Sequence, residues 1–301
     1  MKKALIIGSE GNIGKPLVLY LKKLDYDILE IDIKQGWRPN YLVADITNPI
    51  DLLPAFLDFK PDIVYCLSAM VSRVTCEQAG GLAVSTNLLG VQNIVELCKR
   101  VDAMLVFFST SEVYGPECEV MSEDLSDPCP NNRYGLTKLL GEKLVEYEVK
   151  HHGLRAVTLR PFMMYDENEE LGDHRSAMIR FVYNLSKGEE IQVHESSERA
   201  WLHASDAVRA IEAAGHLDKY SVINIGHDDF RTILELAELI CKNLNVSTNL
   251  IKIMKLPQRM TLKKRPTIDK MKQILNVTPL VGFEEGVKLV CDKIRQRASL
   301  I

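Results

Sequence analysis

The chain has 301 residues, 46% of them hydrophobic and 26% charged, with a formal net charge of -4. That length buries a full core in one large domain or two unequal ones, and the composition is that of a soluble globular protein. The negative balance argues against a nucleic-acid partner, and no run approaches the roughly 20 apolar residues that a membrane span requires.

In chain order, Met1-Lys2-Lys3 and the apolar Ala4-Leu5-Ile6-Ile7 imitate the start of a secretory signal, but Gly8-Ser9-Glu10 ends the apolar stretch too early for one. Short apolar, β-branched runs at 4–7, 28–32, 63–67, 105–109 and 156–160 predict strands. They are apolar throughout rather than alternating, as expected when both faces of a parallel sheet are covered. Helical patterns fit 12–24, 51–57, 84–100 and 132–149. This alternation predicts an α/β fold, a Rossmann-type doubly wound parallel sheet over residues 1–162. After residue 162 the rhythm changes. A polar loop at 165–175 leads to helices near 176–186, from 206, and at 233–244, 268–275 and 283–297, with short strands near 190–194 and 221–225. Residues 163–301 are therefore expected to form a smaller C-terminal α/β substrate lobe, with chain crossings between the lobes. Seven cysteines, with no C-x-x-C pair and no zinc-like spacing, predict reduced thiols in a cytoplasmic protein. The seven histidines show no ligand or catalytic pairing, so no metal is expected. His203, near Trp201, reads as structural.

The first motif is Gly8-Ser9-Glu10-Gly11-Asn12-Ile13-Gly14. Glycines spaced this way between a strand and a helix permit a tight turn, a backbone close to a pyrophosphate, and close helix–strand packing. The helix N-terminus beyond offers N–H donors to phosphates. Asp32, at the end of the second strand, is placed to accept from adenosine ribose hydroxyls and to repel a 2′-phosphate, which favours NAD over NADP. Asp45 is placed to reach an adenine amine, with Ile46 beside it, although an Asp there also serves as a loop cap.

The second group carries the chemistry. Tyr134 and Lys138 lie one helical turn apart and share a face. A tyrosine hydroxyl with a reference pKa of about 10 must lose about three units, or about 4 kcal/mol, to act as a base near neutrality. One ammonium at about 4 Å supplies that much at an effective dielectric near 20. Lys138 is therefore expected to lower the pKa of Tyr134. Thr110, at the C-terminal end of a strand, is placed to hold a substrate oxygen against Tyr134, and Ser111 is the neighbour that can take this role instead. Glu112 is either a second acid/base group or a solvent-facing carboxylate. Lys263-Lys264-Arg265 is a basic run that is either solvated surface or a phosphate contact.

These residues resemble one family. The glycine loop with Asp32, Asn87-Leu88-Leu89-Gly90, Ser109-Thr110-Ser111-Glu112-Val113-Tyr114-Gly115, Tyr134-Gly135-Leu136-Thr137-Lys138 and Leu159-Arg160-Pro161-Phe162 are similar to the extended short-chain dehydrogenase/reductases that act as nucleotide-sugar epimerases and dehydratases. Arg199-Ala200-Trp201-Leu202-His203, Asn224-Ile225-Gly226 and Arg265-Pro266-Thr267-Ile268 match more loosely, so the resemblance runs over nearly the whole chain. It implies a bound NAD beside Tyr134, Lys138 and Pro161, lined by Leu67, Ser68 and Ala69. It implies phosphate contacts from Arg199 and the Lys264/Arg265 region, and a homodimer built on the helices near 84–100 and 132–149. Met163 stands where the family commonly has Asn, and Arg175 and Arg180 are candidate substitutes as phosphate or carboxylate contacts. The implied activity is transient oxidation at sugar C4. The expectation leans to 4-epimerisation. A 4,6-dehydratase or uronate decarboxylase, a keto-sugar reductase and a non-catalytic dinucleotide sensor remain as alternatives.

Overall fold

The computed structural model describes every residue except 117, 119, 126, 171–175, 195, 256–261 and 299–301. Its centre is a seven-stranded parallel sheet. The strands are β1 (Lys3–Ile7), β2 (Asp27–Asp32), β3 (Tyr41–Val43), β4 (Ile63–Cys66), β5 (Met104–Phe108), β6 (Ala156–Pro161) and the strand Val222–Ile225. Their spatial order is β3-β2-β1-β4-β5-β6 followed by Val222–Ile225, the doubly wound arrangement expected from the sequence. The apolar runs have a physical reason in the pleat. Ala4 and Ile6 enter one buried cluster with α1 (Gly14–Lys23), while Leu5 and Ile7 enter another on the opposite face with α2 (Pro49–Leu57).

Three differences from expectation bear on the main sheet and the helices beside it. The short strand β3 was not foreseen; three residues carry too little pattern to read. The helix expected at 84–100 is longer and broken: α3 (Arg73–Gln78), α4 (Gly80–Val84), a π-helical turn Ser85–Leu89 and α5 (Gly90–Val101) follow one another. The π turn carries the buried Asn87, which bonds to Met70 N and O and to Thr137 Oγ1 and so ties the loop after β4 to α6 (Arg133–His152). The strand at 222–225 lies in the main sheet, in parallel register with β6 through pairs such as Asn224 with Arg160. The chain therefore returns to the sheet after building part of the second lobe. That lobe has its own core, which includes Met178, Phe181, Trp201, Leu236, Ile240, Phe283 and Val287.

Helix α6 is fixed from below by a buried ion pair. Glu142 takes Arg160 Nε at 2.9 Å and Nη2 at 2.7 Å, and also accepts from the Ser109 hydroxyl. The guanidinium of Arg160 lies 4.8 Å from the centre of the Tyr114 ring. Breaking either partner leaves an uncompensated buried charge, a change that costs about 3–5 kcal/mol in comparable pairs.

Candidate active site

The glycine turn joins β1 to α1. A Cβ on Gly14 would stand 2.2 Å from the Gly8 carbonyl oxygen, so only glycine permits this approach. Helix α1 has no side-chain N-cap and no acidic residue in its first turn. Its dipole is thus available to an anion, although the Lys15 N–H already donates to the Gly11 carbonyl at 3.1 Å and Pro16 has no N–H. Asp32 closes β2 and accepts from the Glu10 N–H at 2.9 Å and the Lys34 N–H at 3.1 Å, which orients its carboxylate while leaving acceptor capacity.

These groups border a cavity of about 420 Å³ at the C-terminal ends of the strands. Gly8, Gly11, Asn12, Ile13, Gly14, Asp32, Leu67, Ser68, Ala69, Tyr134, Lys138 and Pro161 all line it, joined by Phe108, Ser109 and Met164. Two expected contacts do not. Asp45 caps its own loop, accepting from Thr47 N and Oγ1 at 2.9 Å. Ile46 packs its side chain into the core against Gly90.

Tyr134 and Lys138 sit on the first turns of α6. Asn132 caps this helix, its Oδ1 accepting from the Gly135 N–H at 2.9 Å, while its Nδ2 donates to Glu112 Oε2 at 2.9 Å. A Cβ on Gly135 would be 2.7 Å from the Glu112 carbonyl, so glycine lets α6 close onto the 3-10 turn Ser111–Tyr114. Thr110 caps that turn through the Glu112 N–H, and Ser111 is buried within it.

The electrostatics revise one expectation. Burial pushes the Tyr134 phenol up to about 12; hydrogen bonding with Thr110 opposes this and the charge of Glu112 adds to it. Burial also brings the Lys138 ammonium down to about 8. Lys138 is 1% exposed, with its Nζ 4.4 Å from the centre of the Phe107 ring. The phenol therefore stands above its ordinary value rather than below it, with desolvation the largest cause. A cavity that brings the start of α1 and the strand-end carboxylate of Asp32 together with Tyr134 and Lys138 fits a dinucleotide.

Glu112 does not face solvent. Its carboxylate meets Lys264 Nζ and Asn132, and Arg73 Nε lies 3.7 Å away. Burial works against its charge, but Lys264, Arg73 and Asn132 together hold it below the usual carboxylate range. Arg199 is buried in the same field; burial brings it down to about 10, with Glu112 supporting its charge and Arg73 opposing it. Three cations thus surround one carboxylate.

The remaining predicted contacts are more scattered. Arg265 is partly exposed and is held by Glu198 beneath the Phe230 ring. Lys264, its neighbour, is the buried one. Arg73 was not foreseen, because nothing local marks an arginine at the start of α3 for this site. The Met163 carbonyl accepts from the Leu202 N–H while its side chain leans on the second lobe's core. Arg180 is exposed on the helix Ala177–Ser186, and Arg175 lies outside the described residues. Elsewhere, ligand atoms of Asp166, Glu167 and His203 come within 4.8 Å of one another. His203 Nδ1 accepts from the Ser205 N–H and caps a helix, which leaves Nε2 protonated and donating to Glu167 at 2.8 Å. A metal at Nε2 would displace that proton. Among the described residues no helix is long and apolar enough to cross a membrane.

Comparison with known proteins agrees with this geometry. The sequence profile of the NAD dependent epimerase/dehydratase family matches residues 4–226. UDP-glucuronic acid decarboxylase 1 of Danio rerio is 28% identical over 300 residues, covering 95% of this chain and 71% of that protein. A UDP-N-acetyl-alpha-D-glucosaminuronate decarboxylase of Bacillus cytotoxicus is 27% identical over 315 residues, covering 95% of this chain and 96% of that one. In fold, the chain superimposes on the UDP-glucose 4-epimerase of Thermus thermophilus, solved with NAD, with a TM-score of 0.86 at 23% identity over 97% of this chain and 99% of that one. With a matching profile over most of its length and a cavity shaped for a dinucleotide beside a tyrosine and a lysine, the chain belongs to the NAD-dependent epimerase/dehydratase family of enzymes, and NAD is its cofactor.

Proposed function

We propose that this enzyme oxidises a nucleotide-linked uronic acid transiently at C4 and releases the C6 carboxylate as carbon dioxide. The observation that carries this reading is the gathering of cations on Glu112, whose charge reaches Tyr134: Lys264 bonds it, Arg73 Nε lies 3.7 Å away, and Arg199 is buried within its field. Cations gathered this way suit a sugar diphosphate and a carboxylate at C6. The named relatives that decarboxylate such sugars support the same reaction.

NAD, when bound, accepts and later returns the hydride at C4. The chain supplies the rest. Tyr134 takes the proton of the C4 hydroxyl while Thr110 holds the oxygen. The resulting 4-ketone stands β to the carboxylate, so the C5–C6 bond can break with its electron pair delocalised into the carbonyl. The cations that held the carboxylate also stabilise the enolate that forms. A proton at C5 and restoration of the C4 hydrogen complete a pentose with no net redox change.

The test is to incubate the protein with NAD and, separately, UDP-glucuronate and UDP-glucose, and to follow products by mass spectrometry, proton NMR and trapped carbon dioxide. The expected result is a product lighter by one carbon dioxide from the uronate alone. An unchanged mass with a new anomeric pattern would establish epimerisation and overturn decarboxylation.

We also infer a homodimer. Leu82, Val84, Leu89, Leu136, Leu140 and Tyr147 are exposed on α4, the π turn and α6. An apolar face of this kind suits a second copy of the same helices. Sedimentation equilibrium should give twice the single-chain mass, and Leu140→Glu should shift it toward one chain. A monomeric parent protein would remove the inference.

A further inference from the structure

The strap 262–268 brings Lys264 to Glu112 from far along the sequence, and its register is a problem the chain has to solve. Burial alternates along it: Lys264, Pro266 and Ile268 are buried, while Lys263, Arg265 and Thr267 are partly exposed. Such an extended segment turns every side chain over when it slips by one residue. In a Lys-Lys-Arg run a slip would present another cation, so charge alone does not select Lys264.

One amide does. We propose that Asn224 is a positioning residue that sets the register of this strap and so places Lys264 against Glu112; the catalytic consequence rests on the decarboxylation reading above. Asn224 is fully buried at the end of its strand. Its Nδ2 donates to the carbonyls of Met121 at 2.9 Å and Thr267 at 3.1 Å, and its Oδ1 accepts from the Tyr114 hydroxyl at 2.7 Å. Its backbone N–H donates to Glu123 Oε1 at 2.9 Å, and Glu123 Oε2 accepts from the Thr267 hydroxyl at 3.0 Å. Met121 in turn accepts from Thr267 N and donates to the Arg265 carbonyl, straddling Pro266, which has no N–H to offer. Tyr114 ends the same 3-10 turn that carries Glu112. A single side chain therefore joins the turn holding the carboxylate to the strap holding the ammonium, and both of its amide hydrogens and its oxygen are used. The hydrogen-bonding pattern fits asparagine alone: aspartate lacks the two donors and would set its charge against two carbonyl oxygens.

The decisive measurement is the labelling rate of individual lysines by acetic anhydride in the NAD-loaded protein, read by peptide mass spectrometry for the parent, Asn224→Asp and Tyr114→Phe. Lys264 is expected to label at least tenfold faster in Asn224→Asp and by a smaller factor in Tyr114→Phe, while Lys138 stays as protected as in the parent. Should Asn224→Asp not fold, Tyr114→Phe carries the comparison. Unchanged Lys264 labelling in the folded variants, or an equal rise at Lys138, would overturn the proposal, the latter because it reports general loosening. A second readout uses UDP-glucuronate in single turnover. Absorbance at about 340 nm, from reduced nicotinamide, should rise at nearly the parent rate while carbon dioxide release falls at least tenfold, since the C4 step does not use Lys264. Both falling together would contradict selective positioning. If the parent releases no carbon dioxide at all, the functional reading fails, and the labelling result still decides the role of Asn224.

Discussion

Replacing Tyr134 with phenylalanine is expected to lower turnover by about two to four orders of magnitude, the range that a positioned general base supplies, with little change in NAD affinity. The substitution keeps the ring that lines the cavity and removes only the hydroxyl that Thr110 holds. In the proposed mechanism that hydroxyl takes the sugar proton. Product formation from the nucleotide sugar and a calorimetric NAD titration, run on the same preparation, check both halves. Near-normal turnover in the variant would remove Tyr134 from the chemistry. Loss of NAD binding would show that the hydroxyl serves the cofactor's seat instead.

Lys138→Met is expected to destroy activity and yet stabilise the cofactor-free protein. The ammonium is 1% exposed and burial brings its pKa down to about 8. A depression of that size corresponds to about 3 kcal/mol of unfavourable burial of the charge. The sign follows from proton linkage. Below about pH 8 the lysine is charged in both the folded and unfolded states and the cost is fully present. Between about pH 8 and the unfolded value near 10.5, the folded protein carries the neutral amine while the unfolded chain binds the proton, so parent stability rises with pH. Methionine has nearly the same reach and no charge to desolvate. The variant's melting temperature should therefore exceed the parent's by several degrees at neutral pH, and the gap should shrink as pH is raised above 8. A scanning calorimetry series over pH checks this. A variant less stable than the parent at pH 7 would mean that the ammonium gains more from Glu142 and its other neighbours than it loses on burial. The proposed trade, stability given up for a cation where the phenol needs one, is the usual cost of a preorganised site.

Both residues were legible in the sequence because their relation is local. A tyrosine and a lysine four apart on a helix share a face whatever the rest of the chain does. The glycine turn is local in the same way, since each glycine answers a steric demand within the turn or at the next strand. The doubly wound sheet was legible because strands buried on both faces must be apolar throughout, and five of its seven strands were found on that ground. Where the reading stopped, distance along the chain was the reason. The segment 222–225 was assigned to the smaller lobe, yet it extends the main sheet beside β6, because an apolar run states that it will be buried but not which partner will bury it.

The charged half of the site shows the division most sharply. Glu112 was an open choice between chemistry and solvent, and Lys264 and Arg265 were taken together as one region, since a basic run has no internal sign of which member turns inward. Arg73 carried no signal. By itself, the sequence determined the doubly wound fold, the dinucleotide turn with its Asp32, and the Tyr134–Lys138 face, all through contacts spanning a turn or a strand and its neighbour. Tertiary structure alone decided that Arg73, Glu112, Arg199 and Lys264 meet, and that Lys264 rather than Arg265 enters. Coulomb attraction depends on separation in space, and that separation is set only when the strap 262–268 is docked in register by hydrogen bonds to Met121, Glu123 and Asn224.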